Sequence, residues 1–232
     1  MSSAKRSFKA VKGMNDILPG AKEDFLDTAV WNFILGKAQR VLEGYGYSQI
    51  RLPVVEDTSL FARGLGEQTD IVGKEMYTFE DRGGRSLTLR PEGTASAARA
   101  YVEHHFARNN PIQKWWYFGP MYRAERPQKG RYRQFYQIGA EFFGADTPAS
   151  EAEMLMMLWE FTRLLGLSEV RLRLNTLGDG PSRVAYRGAL VAHFEPLVEK
   201  LCESCAGRVD SNPLRVLDCK RSGCIEIVSL AP

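Results

Sequence analysis

Lys114–Gly144, KWWYFGPMYRAERPQKGRYRQFYQIGAEFFG, is the stretch on which the fold turns. Two strand-like runs, Lys114–Arg123 and Gln134–Phe143, flank a basic loop, Ala124–Arg133. Hairpin loops usually hold two to five residues, so a loop of this length on rigid strands is where binding chemistry tends to sit. Side chains alternate along a strand. Phe135, Gln137, Gly139 and Glu141 therefore share one face of the second strand. Tyr117, Gly119, Met121 and Arg123 share a face of the first, which Glu125 extends. A face with Arg, Glu, Gln, Phe and two glycines reads as a floor for a flat, charged ligand rather than a packed core.

The remaining chain supplies the frame. Phe25–Leu42 has helical periodicity, with Gly44 as a stop. Tyr47–Val55 reads as a strand that Pro53 kinks or demotes to an edge. Leu60–Lys74 is a Gly-rich connection. Met76–Glu80 and Ser86–Leu89 flank the turn Asp81–Gly84. A helix from Thr94 to Phe106 presents Ala95, Ala98, Tyr101, Val102 and His105 on one side. Ser150 and Glu153 form a capping-box start for a helix with Leu155, Leu158, Phe161, Leu164 and Leu165 inward. Glu169–Leu174 alternates as a strand. Pro181–Ser182 opens a last helical region that Pro196 interrupts. Adjacent strands joined by hairpins, with inserted helices, give an α+β fold around an antiparallel sheet. No Gly-rich phosphate loop is present, so a nucleotide would have to bind on a sheet face through arginines.

Bulk properties set broad limits. The 232 residues are 44% hydrophobic and 25% charged, an ordinary globular composition. A net charge of +3 carries little information, whereas Arg123–Arg133 holds five cations and one acid. Residues 1–10 read as a frayed basic arm. No apolar run approaches a membrane span, and the start lacks the apolar core of a signal peptide, so a cytoplasmic protein is expected.

Three constellations could carry chemistry. In the first, Arg123 can hold a carboxylate and a phosphate together, Glu125 can accept from an exocyclic amine, Phe135 can stack on a base, and Arg131 and Arg133 can meet outer phosphates. A solvated basic hairpin is the bland alternative. The second is Arg90-Pro91-Glu92-Gly93-Thr94. Glu92 and Thr94 could bind an ammonium group, with Gly93 admitting the ligand, or could simply cap a helix. The third is Cys202-x2-Cys205-x13-Cys219-x4-Cys224, compatible with a tetrahedral zinc site or with reduced thiols in a peripheral insertion. His104, His105 and His193 show no metal spacing.

RPEGT, followed by GPMYRAERPQKGRYRQFYQIGAE, resembles the histidine–tRNA ligases, class II aminoacyl-tRNA synthetases. KGMNDILPG is similar to that family's opening segment. The stretch ending at Pro53 resembles its motif 1, the long hairpin its motif 2, and the likeness extends to Asn212–Asp218. The resemblance implies a class II catalytic core over residues 1–232, with a Cys-containing peripheral region at about 182–232. It implies ATP-dependent activation of histidine to the adenylate, with Mg2+ on the phosphates, and transfer to tRNA(His). Arg123 would span the α-phosphate and the histidine carboxylate. Glu125 and Phe135 would read adenine, and Arg131 the γ-phosphate. Glu92, Thr94 and Gln137 would hold the α-amino group of histidine, Gly93 would line its site, and Glu141 would reach the imidazole. Arg126, Gln128 and Lys129 would touch the tRNA acceptor end, and Phe25–Pro53 would form a homodimer interface. Ala124 stands where the family often has His. The family's second histidine-specific segment, its motif 3 and its anticodon-binding domain are not in this sequence. The chain is therefore expected to be a C-terminally incomplete catalytic core with weak or no activity alone. Two alternatives stay open: a synthetase-like regulatory subunit of ATP phosphoribosyltransferase, and an inactive histidine-binding module.

Overall fold

The computed structural model describes residues 8–65, 75–176 and 178–232. Parts of the basic arm and of the Gly-rich connection, residues 1–7 and 66–74, lie outside the described residues. The chain divides into two compact units, Met1–Val170 and Arg171–Pro232.

In the first unit the elements run as helix α1 (Thr28–Gly44), strands β1 (Ser48–Gln49) and β2 (Val55–Asp57), and helix α2 (Thr58–Leu65). Strands β3 (Tyr77–Glu80) and β4 (Ser86–Leu89) follow, then helices α3 (Thr94–Glu103) and α4 (Phe106–Asn109). The long strands β5 (Gln113–Tyr122) and β6 (Gln134–Phe143) precede helix α5 (Pro148–Leu164). The sheets have the orders β1-β5-β6 and β2-β4-β3, and every pairing is antiparallel except β1 with β5.

The β5–β6 ladder fixes the faces. Tyr117 lies opposite Gly139, Gly119 opposite Gln137, and Met121 opposite Phe135. Trp116, Phe118, Ile138 and Ala140 take the reverse face. There α1 contributes Ala38, Val41 and Leu42, and α5 contributes Met157, to an apolar core. Burying such a face is what holds an amphipathic helix on a sheet. The site-bearing face is more packed than its composition suggests. Tyr117 and Met121 are buried there with Ala97 of α3.

Five local expectations change. The strand over Tyr47–Val55 splits at Pro53: its start pairs with β5, and β2 joins the other sheet. Proline has no N–H for a ladder. The buried guanidinium of Arg90 bridges the break, donating to the carbonyls of Leu52 at 2.9 Å, Pro53 at 3.2 Å and Pro120 at 2.9 Å. The cap of α5 is Thr147, whose hydroxyl oxygen accepts from Ser150 N at 3.3 Å, so Ser150 lies inside the helix. On α5, Phe161 and Leu164 pack inward as expected, but Met154 and Met157 complete the stripe and Leu158 is exposed. On α3 the inward residues are Ser96, Ala97 and Ala100, and Val102 is exposed. Glu169–Leu174 is not a strand. It pairs with no strand among the described residues, and Leu172 and Leu174 are exposed.

The second unit holds helices α6 (Gly180–Phe194), α7 (Glu203–Ala206) and α8 (Ser222–Val228) with two 3-10 turns. Asp179 caps α6 by accepting from Ser182 N at 2.8 Å. At Pro196 the α-helix gives way to a 3-10 helix, Glu195–Lys200. Leu190, Phe194, Leu201, Val209, Val216 and Ile227 form its core together with Cys205 and Cys224.

Candidate active site on the long hairpin

The hairpin loop is tied down rather than free. Gly13 has φ +87°, a conformation that glycine adopts without a Cβ penalty. Its carbonyl accepts from Arg133 N at 2.8 Å and from Gln134 N at 3.1 Å. Ala124 N donates to Glu75 O at 2.7 Å, and Arg123 N to Arg133 O at 2.9 Å. The loop tip closes through reciprocal backbone bonds between Gln128 and Arg131, with Gly130 in the left-handed region. Arg126, Gln128, Lys129 and Arg131 point into solvent. Arg133, expected to meet phosphate, is instead turned inward, its Nε donating to Glu125 O at 3.2 Å.

Arg123 anchors the strand end of the site. Its Nε donates to Pro91 O at 3.1 Å, and its guanidinium carbon lies 5.1 Å from the Phe135 ring centroid. That contact is within cation–π range. The plane of Arg123 is thus held while donors remain for a ligand. Glu125 meets Arg131 at 3.3 Å, an ion pair whose arginine is largely exposed. Such a pair contributes little on its own and can open to admit a charged ligand.

Glu92 caps α3. Its carboxylate accepts from Thr94 N at 2.6 Å and from Ala95 N at 2.8 Å. The Thr94 hydroxyl is then free to donate to Glu141 at 2.7 Å, and Tyr117 Oη donates to the same oxygen at 3.1 Å. Burial raises the carboxyl pKa of Glu141 from its ordinary value, against those two donors, which pull it down. Burial also pushes the Tyr117 phenol up, with the Glu141 charge adding to it. Two environments oppose each other at one carboxylate, a pattern common in ligand sites.

The glycines of this face do not leave open gaps. A Cβ on Gly139 would come within 2.2 Å of the Tyr117 ring, and one on Gly93 within 2.3 Å. A Cβ on Gly119 would meet the Arg90 guanidinium at 2.2 Å. Protein groups therefore fill the places that the sequence offered to a ligand. Gln137, half-buried, lies opposite Gly119. The face brings together Arg123, Phe135, Gln137 and Glu141, with Thr94 bonded to it from α3. Arg90 and Tyr117, placed by the sequence on the site without a positioning role, and Gly13, not singled out, are the residues that position it. The two close-approach glycines opposite large side chains were the available signal.

The cysteines lie in the other unit. The Sγ atoms of Cys202, Cys205, Cys219 and Cys224 are all within 4.8 Å of one another.

The histidyl-tRNA synthetase family model matches residues 23–191. The histidine–tRNA ligase of Trichlorobacter lovleyi is 52% identical over 226 residues, covering 97% of this chain and 52% of that protein. That of Syntrophotalea carbinolica is 50% identical with the same coverage. The apo S. aureus histidyl-tRNA synthetase structure superposes with a TM-score of 0.72 at 37% identity, over 96% of this chain and 54% of that one. The chain thus spans about half the length of the curated relatives it matches. A family match over most of the chain, on an α+β fold that superposes on a solved member, shows that it belongs to the histidyl-tRNA synthetase family.

Proposed function

We propose that this chain carries the histidine- and ATP-binding hairpin of a histidine–tRNA ligase, with residues 1–170 as part of the class II catalytic core and 171–232 as a peripheral unit. The observation that carries the reading is Arg123 held over Phe135 on the same sheet face as the half-buried Glu141. The histidine carboxylate oxygen attacks the α-phosphorus of ATP, the bond to the bridging oxygen breaks, and pyrophosphate leaves. The nucleophile is already ionised, so no base is needed. What matters is alignment and positive charge around the phosphorus. Arg123 serves both by gripping carboxylate and α-phosphate. Phe135 stacks on adenine, Glu125 accepts from its amine, and Arg131 swings from Glu125 to the γ-phosphate. Magnesium arrives with the ATP phosphates as part of the substrate. Thr94, Gln137 and Glu141 receive histidine; Glu92 acts chiefly through the α3 cap it makes.

In the second step the 3′-terminal hydroxyl of tRNA attacks the adenylate carbonyl and AMP leaves. Arg126, Gln128 and Lys129 are exposed on the loop tip to steer that acceptor end. A second copy is proposed to cover the Phe25–Pro53 segment, where Phe25 and Phe33 are exposed; sedimentation would report it. We place the protein in the cytoplasm. No helix among the described residues is long and apolar enough to cross a membrane.

The test is histidine-dependent ATP–pyrophosphate exchange by the polypeptide that carries this sequence in the cell. Arg123→Ala is expected to lower the exchange rate by about 10²–10³-fold. Histidine binding without any exchange would instead favour a regulatory, synthetase-like subunit. The intact basic loop beside RPEGT argues against that alternative.

A further inference from the structure

The four cysteines do more than pack. They come from three places in the backbone: Cys202 and Cys205 from the N-cap and body of α7, Cys219 after a 3-10 turn, and Cys224 from α8. Cys205 and Cys224 are buried and Cys202 and Cys219 half-buried. All four thiols are free. The Cys202 and Cys219 sulfurs are 4.0 Å apart. The edge of a zinc–tetrathiolate tetrahedron with ~2.3 Å bonds is ~3.8 Å, whereas a disulfide needs ~2.05 Å. The spread of 4.8 Å therefore closes onto a metal with shifts of ~1 Å. Cys202 N donates to Cys224 Sγ at 3.3 Å, the kind of outer hydrogen bond that orients thiolate ligands. Arg208, Arg215, Lys220 and Arg221 line the depression beside the sulfurs, with Asp218 among them. That basic rim suits a site whose net charge becomes negative.

Size supplies an independent reason. Residues 171–232 form their own compact unit, in which α6 is followed by short helices and 3-10 turns. Units of this size are only marginally stable on a hydrophobic core alone, and a bound metal is a common supplement. Here the sulfurs border that core, since Cys205 and Cys224 belong to it.

We propose that Cys202, Cys205, Cys219 and Cys224 bind one structural Zn2+ that clamps α7, the Cys219 segment and α8 together. Four thiols lose four protons, four S–Zn bonds form, and the site becomes a dianion. No electron changes hands, and no coordination position is left for substrate. The clamp is separate from histidine activation, so its failure and the failure of that reading are distinguishable.

Metal content of the whole chain, purified without chelator and after zinc reloading and dialysis, tests the proposal. One zinc per chain is expected, with the four thiols unreactive until the metal is stripped. Cobalt replacement should give the visible bands of a tetrahedral thiolate site. Cys202→Ser and Cys219→Ser, chosen because these positions are half-buried, should weaken zinc retention at least tenfold or so. If either variant fails to fold, the zinc ratio and cobalt spectrum of the unaltered chain decide alone. A reloaded chain that holds no zinc while all four thiols titrate would overturn the site. So would a disulfide between any two of them, or equal retention by the double variant.

Discussion

Replacing Gly139 with alanine tests whether Tyr117 occupies a slot with no spare room. The new Cβ falls 2.2 Å from the Tyr117 ring carbon that bears the hydroxyl and 2.4 Å from the hydroxyl itself. An ordinary carbon contact is ~3.5 Å, so the ring must move by ~1.3 Å. It cannot move toward α3, because a Cβ on Gly93 would already lie 2.3 Å from the same ring. Over-packing of this kind costs about 1–3 kcal/mol. Displacing the ring also removes the 3.1 Å bond from Tyr117 to Glu141, and a bond to a charged group contributes about 1.5–3 kcal/mol. A combined loss of about 3 kcal/mol corresponds to a fall in Tm of about 6–12 °C for a domain of this size. Scanning calorimetry measures it. Tyr117→Phe keeps the ring and removes only the hydrogen bond, so its smaller loss isolates that part. Gly139→Ala combined with Tyr117→Ala relieves the clash, and the second change should then cost less than it does alone. A Gly139→Ala protein melting within about 2 °C of the parent would refute the slot.

Other outcomes follow from the same contacts. Arg90→Met leaves the carbonyls of Leu52, Pro53 and Pro120 without their donor and should cost about 3 kcal/mol in denaturant titration. Thr147→Ala should destabilise by about 1 kcal/mol as a lost cap, and by more than Ser150→Ala, reversing the order that a cap at Ser150 would give. Glu141 has a folded-state pKa raised above its value of 4.5 by burial, so the folded state binds the proton more tightly than the unfolded one. Its contribution is then fully present below the unfolded pKa and is lost as pH rises through the folded one. Glu141→Gln should flatten that fall in a series of melts across the acid range.

The periodic parts of the fold were legible from residue order. Two ten-residue strands with a basic loop between them carry their own signal, because alternation assigns faces without knowledge of partners. Helix α1 declares itself through its apolar stripe. What could not be read depends on partners distant in sequence. Pro53 announces a break in a strand, but not that the halves join different sheets, since that depends on β4 and β5. The alternation over Glu169–Leu174 misled for the same reason: Leu172 and Leu174 have strand spacing and no ladder among the described residues to join. At the site, residue types pointed to Arg123, Phe135 and Glu141, which do share a face. The space between them was misjudged, because a glycine in a strand looks identical whether a ligand or a neighbouring ring fills the gap. The cysteine spacing left its last gap ambiguous, and only convergence in three dimensions brings the four sulfurs together.

The carbonyl of Gly13 that receives Arg133 N and Gln134 N joins residues 120 positions apart (133 − 13). Closing so long a loop is entropically costly and late in folding. The hairpin strands are near neighbours and can pair early, but the loop between them gains this support only when the distant Gly13 segment returns to the sheet. The order of the hairpin loop is thus a report on completed folding: a chain with its hairpin zipped and its Gly13 segment astray would have paired strands without an ordered rim.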